Sequence, residues 1–258
     1  MDSEPTVLIV GGFMTAPFNY WPLRMRLSKR GAGQVLIAPL WPVDWGVAGI
    51  LGFGPVMTRT RAAIIRATRD AGNRPIIVVA HSGGGIAARL AMSAAPFYGR
   101  RGGVAEAVGC LVTLGTPHEL SRLGNRYRHL GHEAAAFLDR ESPGAFFAPR
   151  TAYLSVGANF PDAAFSGLLG RASREVFSII VGEETTELGD GIVPHSAVHL
   201  EGAEQLTFDD VRHGHIGANW YGSDEVVDRW WPRAIELWRG ALAARVENYS
   251  LTHASAAP

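Results

Sequence analysis

Apolar runs of strand length recur along this chain with gaps wide enough to hold a helix. They are Thr6 to Val10, Gln34 to Ala38, Pro75 to Ala80, Val108 to Leu114, Thr151 to Val156, and Val198 with Gln205 to Phe208. Their apolar positions are consecutive rather than alternate, as in strands buried on both faces of a parallel sheet. Between them, Tyr20 to Lys29, Val56 to Ala71, Gly85 to Ala95 and Glu225 to Ala244 carry apolar residues three and four apart, which predicts amphipathic helices. Strand and helix in alternation predict a doubly wound α/β domain. Two segments break the rhythm. Pro39 to Pro55, with Trp41, Trp45, Leu51 and Phe53, is too apolar for a solvated loop and is expected to line a pocket. His118 to Pro149 begins polar and Arg-rich, then carries Phe137, Leu138, Phe146 and Phe147, and reads as a cap or lid insertion (118–149) or as a plain surface excursion. No repeat, low-complexity tract or linker divides the chain, so residues 1–258 are read as one domain.

Composition narrows the function classes. With 258 residues, 47% hydrophobic and 19% charged, there is material for one sizeable core, and disorder or a disulfide-stapled scaffold is excluded. The 24 basic residues equal the 24 acidic ones, so no overall field favours nucleic acid or an anionic membrane. Cys110, the single cysteine, lies in an apolar run and is expected to be a buried thiol. The first residues, MDSEP, are acidic and precede only a short apolar run; neither a signal peptide nor a membrane span is visible, and a cytoplasmic protein is expected.

The run Ile76-Ile77-Val78-Val79-Ala80-His81-Ser82-Gly83-Gly84-Gly85 passes from a strand directly into a helix, with Ser82 at the junction, where a nucleophile elbow holds its serine. Such a turn needs small residues two before and two after the serine. Ala80 and Gly84 meet that need, with alanine replacing the usual first glycine. Ser82 as a helix cap, or the glycines as an anion-binding turn, are the alternatives. Neither nucleotide-loop glycine pattern is present.

A serine hydroxyl needs a base, and the base needs an orienting group, which in elbow-bearing hydrolases follow in the order Ser, acid, His. Asp190, in Leu188-Gly189-Asp190-Gly191-Ile192-Val193-Pro194, suits the acid, with an ordinary Asp-Gly turn as its bland reading and Asp162, Asp209 and Asp210 as rivals. Among His195, His199, His213 and His215, the base is placed at His213, after the last strand and before the last long helix, with His215 second. The oxyanion would be met by the backbone N–H of Gly83 and by that of Phe13, or else Met14, in Val10-Gly11-Gly12-Phe13-Met14. Substrate contacts are expected from Met14, Trp41, Trp45, Phe53 and His81. His129-x-x-His132-Glu133 has metal-ligand spacing but is read as a solvated face.

Taken together, these segments resemble a lipase/esterase of the α/β-hydrolase superfamily from Val7 to about Trp238. Ala80-His81-Ser82-Gly83-Gly84 resembles the lipase elbow, Leu114-Gly115-Thr116-Pro117-His118 the segment after the next strand, and Gly189 to Pro194 the acid loop. Asp209 to His213 followed by Trp220-Tyr221-Gly222-Ser223 is most similar to lipase-like proteins of plants and cyanobacteria. The resemblance implies Ser82 as nucleophile, Asp190 as acid and His213 as base, with no cofactor. Only five residues precede Thr6, so a minimal core of about six mostly parallel strands is expected. The expected activity is hydrolysis of carboxylic esters with small to medium hydrophobic acyl chains. Acyl transfer by the same triad, or a non-catalytic binding module, are the alternatives.

Overall fold

The structure, a computed structural model, describes residues 4–119, 131–160, 189–214 and 219–254. In chain order its strands are β1 (Val7–Val10), β2 (Val35–Ile37), β3 (Ile76–His81), a small pair β4 (Pro96–Phe97) and β5 (Arg100–Arg101), then β6 (Val108–Leu114), β7 (Ala152–Ala158) and β8 (Glu204–Phe208). Its helices are α1 (Trp21–Ser28), α2 (Pro42–Leu51), α3 (Gly54–Asp70), α4 (Gly83–Met92), α5 (His132–Glu141), α6 (His195–Val198) and α7 (Asp224–Ala254). Six strands form one sheet in the order β2-β1-β3-β6-β7-β8, and every neighbouring pair is parallel.

The consecutive apolar residues are explained by two cores, one on each face. Val7 and Ile9 of β1, Ile77 and Val79 of β3, and Cys110 and Val112 of β6 face α1 and α7. Leu8 and Val10, Ile76, Val78 and Ala80, and Leu111 face α2, α3, α4 and α5. Successive side chains of a strand point to opposite faces, so a strand covered on both sides is apolar at most positions. Burial pushes the Cys110 thiol well above its ordinary pKa, consistent with an inert core residue.

From β1 the chain runs outward to β2, then returns to β3 on the other side of β1, so the direction of winding reverses between β1 and β3. At such a reversal the connections leave on opposite faces and open a crevice beyond the carboxyl ends of the strands. The Gly11–Met14 loop and Ser82 both stand there.

Two sequence readings change. Val198 ends α6 rather than belonging to a strand. Most of Pro39 to Pro55 is helical, as α2, rather than a loop. Pro42 occupies the first helical turn, the Trp41 N–H donates to Asp44 Oδ2 at 2.9 Å, and Gly52 leaves the helix at φ 72°. Residues 131–149 contain α5, which packs on α4 through buried Ala134, Ala135, Phe137 and Leu138, and Phe137 meets Phe97 at 5.0 Å between ring centres. Residues 120–130 lie outside the described residues. Among the described residues no helix is long and apolar enough to cross a membrane.

Candidate active site

Ser82 has φ 54° and ψ −133°, a conformation that costs an ordinary residue roughly 1–3 kcal/mol and persists only where its surroundings impose it. Here they do so through hydrogen bonds. Ser82 N–H donates to Leu114 O at 2.9 Å, while Ser82 O accepts from Gly85 N–H at 3.0 Å and Thr116 Oγ1 at 2.9 Å. Close approach fixes the glycines. A Cβ on Gly84 would stand 2.5 Å from Val10 O, and one on Gly12 would stand 2.6 Å from Ser82 Cβ. Ala80 is fully buried in β3, where an extended alanine carries no strain. Ser82 is partly exposed.

Asp190 and His213 are brought together. His213 Nδ1 lies 2.7 Å from Asp190 Oδ2, and His213 N–H donates to Asp190 O at 2.9 Å, so the pair is held through both backbone and side chain. Asp190 Oδ1 accepts from Ile192 N–H at 3.0 Å and Val193 N–H at 2.8 Å, and Oδ2 also accepts from Tyr221 OH at 2.8 Å. Four donors converge on a carboxylate that is 1% exposed, which keeps a buried charge satisfied. A carboxylate only accepts, so His213 Nδ1 carries the proton and Nε2 is left as the basic nitrogen. Burial, with the neighbouring Asp190 charge, raises the Tyr221 phenol well above its ordinary pKa, so it remains a donor. Gly115, at φ 56°, makes room for this cluster; a Cβ there would be 2.5 Å from Asp190 Oδ2 and 3.0 Å from His213 Nδ1.

His213 stands next to the serine turn. Its ring centre is 4.7 Å from that of His81, the residue before Ser82, and its carbonyl accepts from His81 Nε2 at 2.9 Å. No hydrogen bond joins Ser82 Oγ to His213 among the described residues. On the other side of Ser82, a Cβ on Gly83 would be 3.8 Å from Phe13 N, so the two expected oxyanion donors border one space. Neither N–H has a protein acceptor among the described residues. Met14, at φ 56°, extends the same strained loop.

The residues expected to contact substrate divide. Phe13, Met14 and Trp41 are exposed, at 43%, 54% and 47%. Trp45 is fully buried; its ring edge would meet a Gly83 Cβ at 3.5 Å, and it makes T-shaped contacts with Phe13 and Phe53. Phe53 is buried in the same core cluster. His81 is buried with both ring nitrogens bonded, Nδ1 to Tyr20 OH at 2.9 Å and Nε2 to the His213 carbonyl, so it is built into the framework rather than turned to substrate. His195 bonds to Thr207 and meets His199 edge-on, and Asp210 pairs with Arg229. Asp162, His129 and His215 lie outside the described residues. Among the described residues no three His, Cys, Asp or Glu side chains gather to hold a metal ion. Sequence reading missed Tyr20, Tyr221 and Thr116 as parts of the site. Tyr221 sat in a quoted segment, but nothing local marks its phenol as a partner of Asp190.

No protein-family model and no curated protein sequence matches the chain. Among solved structures it is similar to the mature form of lipase BlEst2 from Bacillus licheniformis, with TM-score 0.62 and 18% identity over 92% of this chain and 93% of that one. EstA from Clostridium botulinum gives TM-score 0.55 and 12% identity over 93% and 88% of the two chains. Phospholipase PlaB from Legionella pneumophila gives TM-score 0.55 and 14% identity over 91% of this chain and 59% of that one. With its six parallel strands flanked by helices and these neighbours among lipases and esterases, the chain has the α/β-hydrolase fold.

Proposed function

We propose that this chain is a serine hydrolase of carboxylic esters. Ser82 Oγ attacks the carbonyl carbon as its proton passes to His213 Nε2; the carbonyl oxygen becomes an oxyanion between the N–H groups of Phe13 and Gly83. Collapse breaks the bond to the alkoxy group, which leaves with the proton from His213, and water repeats the sequence to release the acid. Asp190 holds the imidazole in the tautomer that leaves Nε2 free. The observation that carries this reading is the Asp190–His213 pair at 2.7 Å, lodged against the residue preceding a strained Ser82. The lipase and esterase neighbours support the same chemistry, while the narrower likeness to plant and cyanobacterial lipase-like proteins rests on the sequence segments alone.

The preferred acyl groups are small to medium and apolar. Phe13 and Met14 offer exposed apolar surface beside the oxyanion position, and each buried methylene contributes about 0.8 kcal/mol. Trp45, walled in behind Gly83, limits the depth. The test is labelling with a fluorophosphonate and hydrolysis of short p-nitrophenyl esters. Ser82→Ala abolishes both, and His213→Ala loses several orders of magnitude in kcat whereas His215→Ala loses far less. Retained hydrolysis by purified Ser82→Ala protein overturns the reading; the opposite histidine ranking moves the base to His215.

A further inference from the structure

We propose that His81 and Tyr20 are positioning residues that tie the oxyanion loop to the base loop through one directed chain of hydrogen bonds. The inference rests on the serine hydrolase reading and adds two residues to it.

Chemistry fixes the direction of each link. The His213 carbonyl can only accept, so the His81 nitrogen 2.9 Å away, Nε2, carries the proton. In a neutral ring Nδ1 is then an acceptor, and the group facing it at 2.9 Å is the Tyr20 hydroxyl, which must donate. That hydroxyl has one proton. Thr15 Oγ1, which spends its own proton on Gly12 O at 2.6 Å, can also accept from Tyr20 but stands farther away, at 3.3 Å, so the shorter link to His81 takes the proton. The Tyr20 oxygen accepts in turn from Gly12 N–H at 2.8 Å. The chain therefore reads Gly12 N–H to Tyr20 O–H to His81 Nδ1, and His81 Nε2–H to the His213 carbonyl. Burial lifts the Tyr20 phenol to about 12, so it stays a donor.

Each end of the chain falls on a backbone group that sets a reacting atom. Gly12 is pinned at its N–H by Tyr20 and at its carbonyl by Thr15 Oγ1 and N–H. The Gly12 carbonyl and the Phe13 N–H belong to one planar trans peptide and point in opposite directions, so fixing the carbonyl aims the proposed oxyanion donor. His213 is pinned at its N–H by the Asp190 carbonyl and at its carbonyl by His81. Midway along the chain, His81 is covalently joined to Ser82. Donor, nucleophile and base thus share one framework, and removing a link leaves all three present but displaced.

A displacement of about 1 Å reduces turnover roughly a hundredfold. Tyr20→Phe keeps the ring and removes the links to Gly12 and His81, and His81→Phe removes the links to Tyr20 and to the His213 carbonyl. Each is expected to lower kcat by about ten- to a hundredfold per active site counted by fluorophosphonate titration, with KM changing less than about threefold. Affinity for a trifluoromethyl ketone, which forms an oxyanion on Ser82, falls in parallel, while affinity for the unfluorinated ketone does not. His81→Gln, whose amide N–H reaches the His213 carbonyl, recovers part of the loss. The double Phe variant is no worse than His81→Phe alone. Turnover per titrated site within about twofold of wild type, or a loss confined to KM or to the fraction of titratable protein, overturns the coupling. If wild-type protein is not labelled at Ser82, the hydrolase reading fails and this inference with it; labelling of the wild type with unaffected variants refutes the coupling only.

Discussion

At the scale of single residues, the candidate site depends on atoms that are absent as much as on those present. Gly115 stands where a methyl group would strike Asp190, Tyr221 and His213 at once, and its φ of 56° disfavours any side chain. Gly115→Ala is therefore expected to lower kcat/KM by at least about tenfold and to destabilise the protein by roughly 1–3 kcal/mol, read from ester turnover and the urea midpoint. His118 gives a pH-dependent prediction. Its Nδ1 accepts from Arg89, which has only donors, and Nε2 meets Thr113 Oγ1 at 3.0 Å. Burial, then the Arg89 charge, hold its pKa well below the ordinary 6.5. Below that value the unfolded chain takes up a proton that the folded one refuses, so the stability conferred by a neutral His118 is present above pH 6.5 and falls as the pH drops further. The slope contributed is at most about 1.4 kcal/mol per pH unit. Urea midpoints at about pH 7.5 and about pH 5.5 should differ more for the wild type than for His118→Gln, which keeps donor and acceptor but cannot titrate.

Among the elements, α2 most changes the picture of the pocket. It presents Val43, Ile50 and Leu51 outward and Trp45 inward, with exposed Trp41 capping its start, so one short helix supplies both an exposed apolar surface and the wall behind Gly83. Trp45→Ala should open that wall. The expected result is a rise in kcat/KM for longer acyl esters relative to acetate, at a stability loss of about 3–5 kcal/mol, measured as a chain-length profile beside an unfolding curve. An unchanged profile with the same stability loss would make Trp45 a core residue alone.

For the molecule as a whole, the candidate site and the Trp238 packing lie at opposite ends of the sheet. The site gathers beyond the carboxyl ends of β1, β3 and β6. Trp238 of α7 packs at the other end, with Nε1 donating to Pro75 O at 2.9 Å and its ring filling the space that a Cβ on Gly109 would need. Trp238→Ala should destabilise by about 3–5 kcal/mol and leave kcat/KM within about twofold at temperatures where the protein is folded. Loss of activity in proportion to stability would show that the two ends are not independent.

What the sequence determined by itself was whatever short segments encode. Apolar runs marked β1, β2, β3, β6 and β7 to within about two residues, because burial on both faces leaves few polar positions in them. The turn at Ser82 was legible because its small neighbours are two residues away, and the meeting of Asp190 with His213 was anticipated from their order along the chain. The Pro42 and Gly52 that bound α2 were also present, but in a Gly- and Pro-rich stretch they read as a loop. Only tertiary structure decided the rest. His81 and Trp45 looked like substrate contacts from their place beside Ser82 and within an apolar segment, and both are enclosed by side chains from elsewhere. Tyr20 meets His81 across 61 positions, Tyr221 meets Asp190 across 31, and His81 meets the His213 carbonyl across 132. Hydrogen-bond partners so far apart leave no local trace, because sheet order and helix packing set their distance and the residues between them do not.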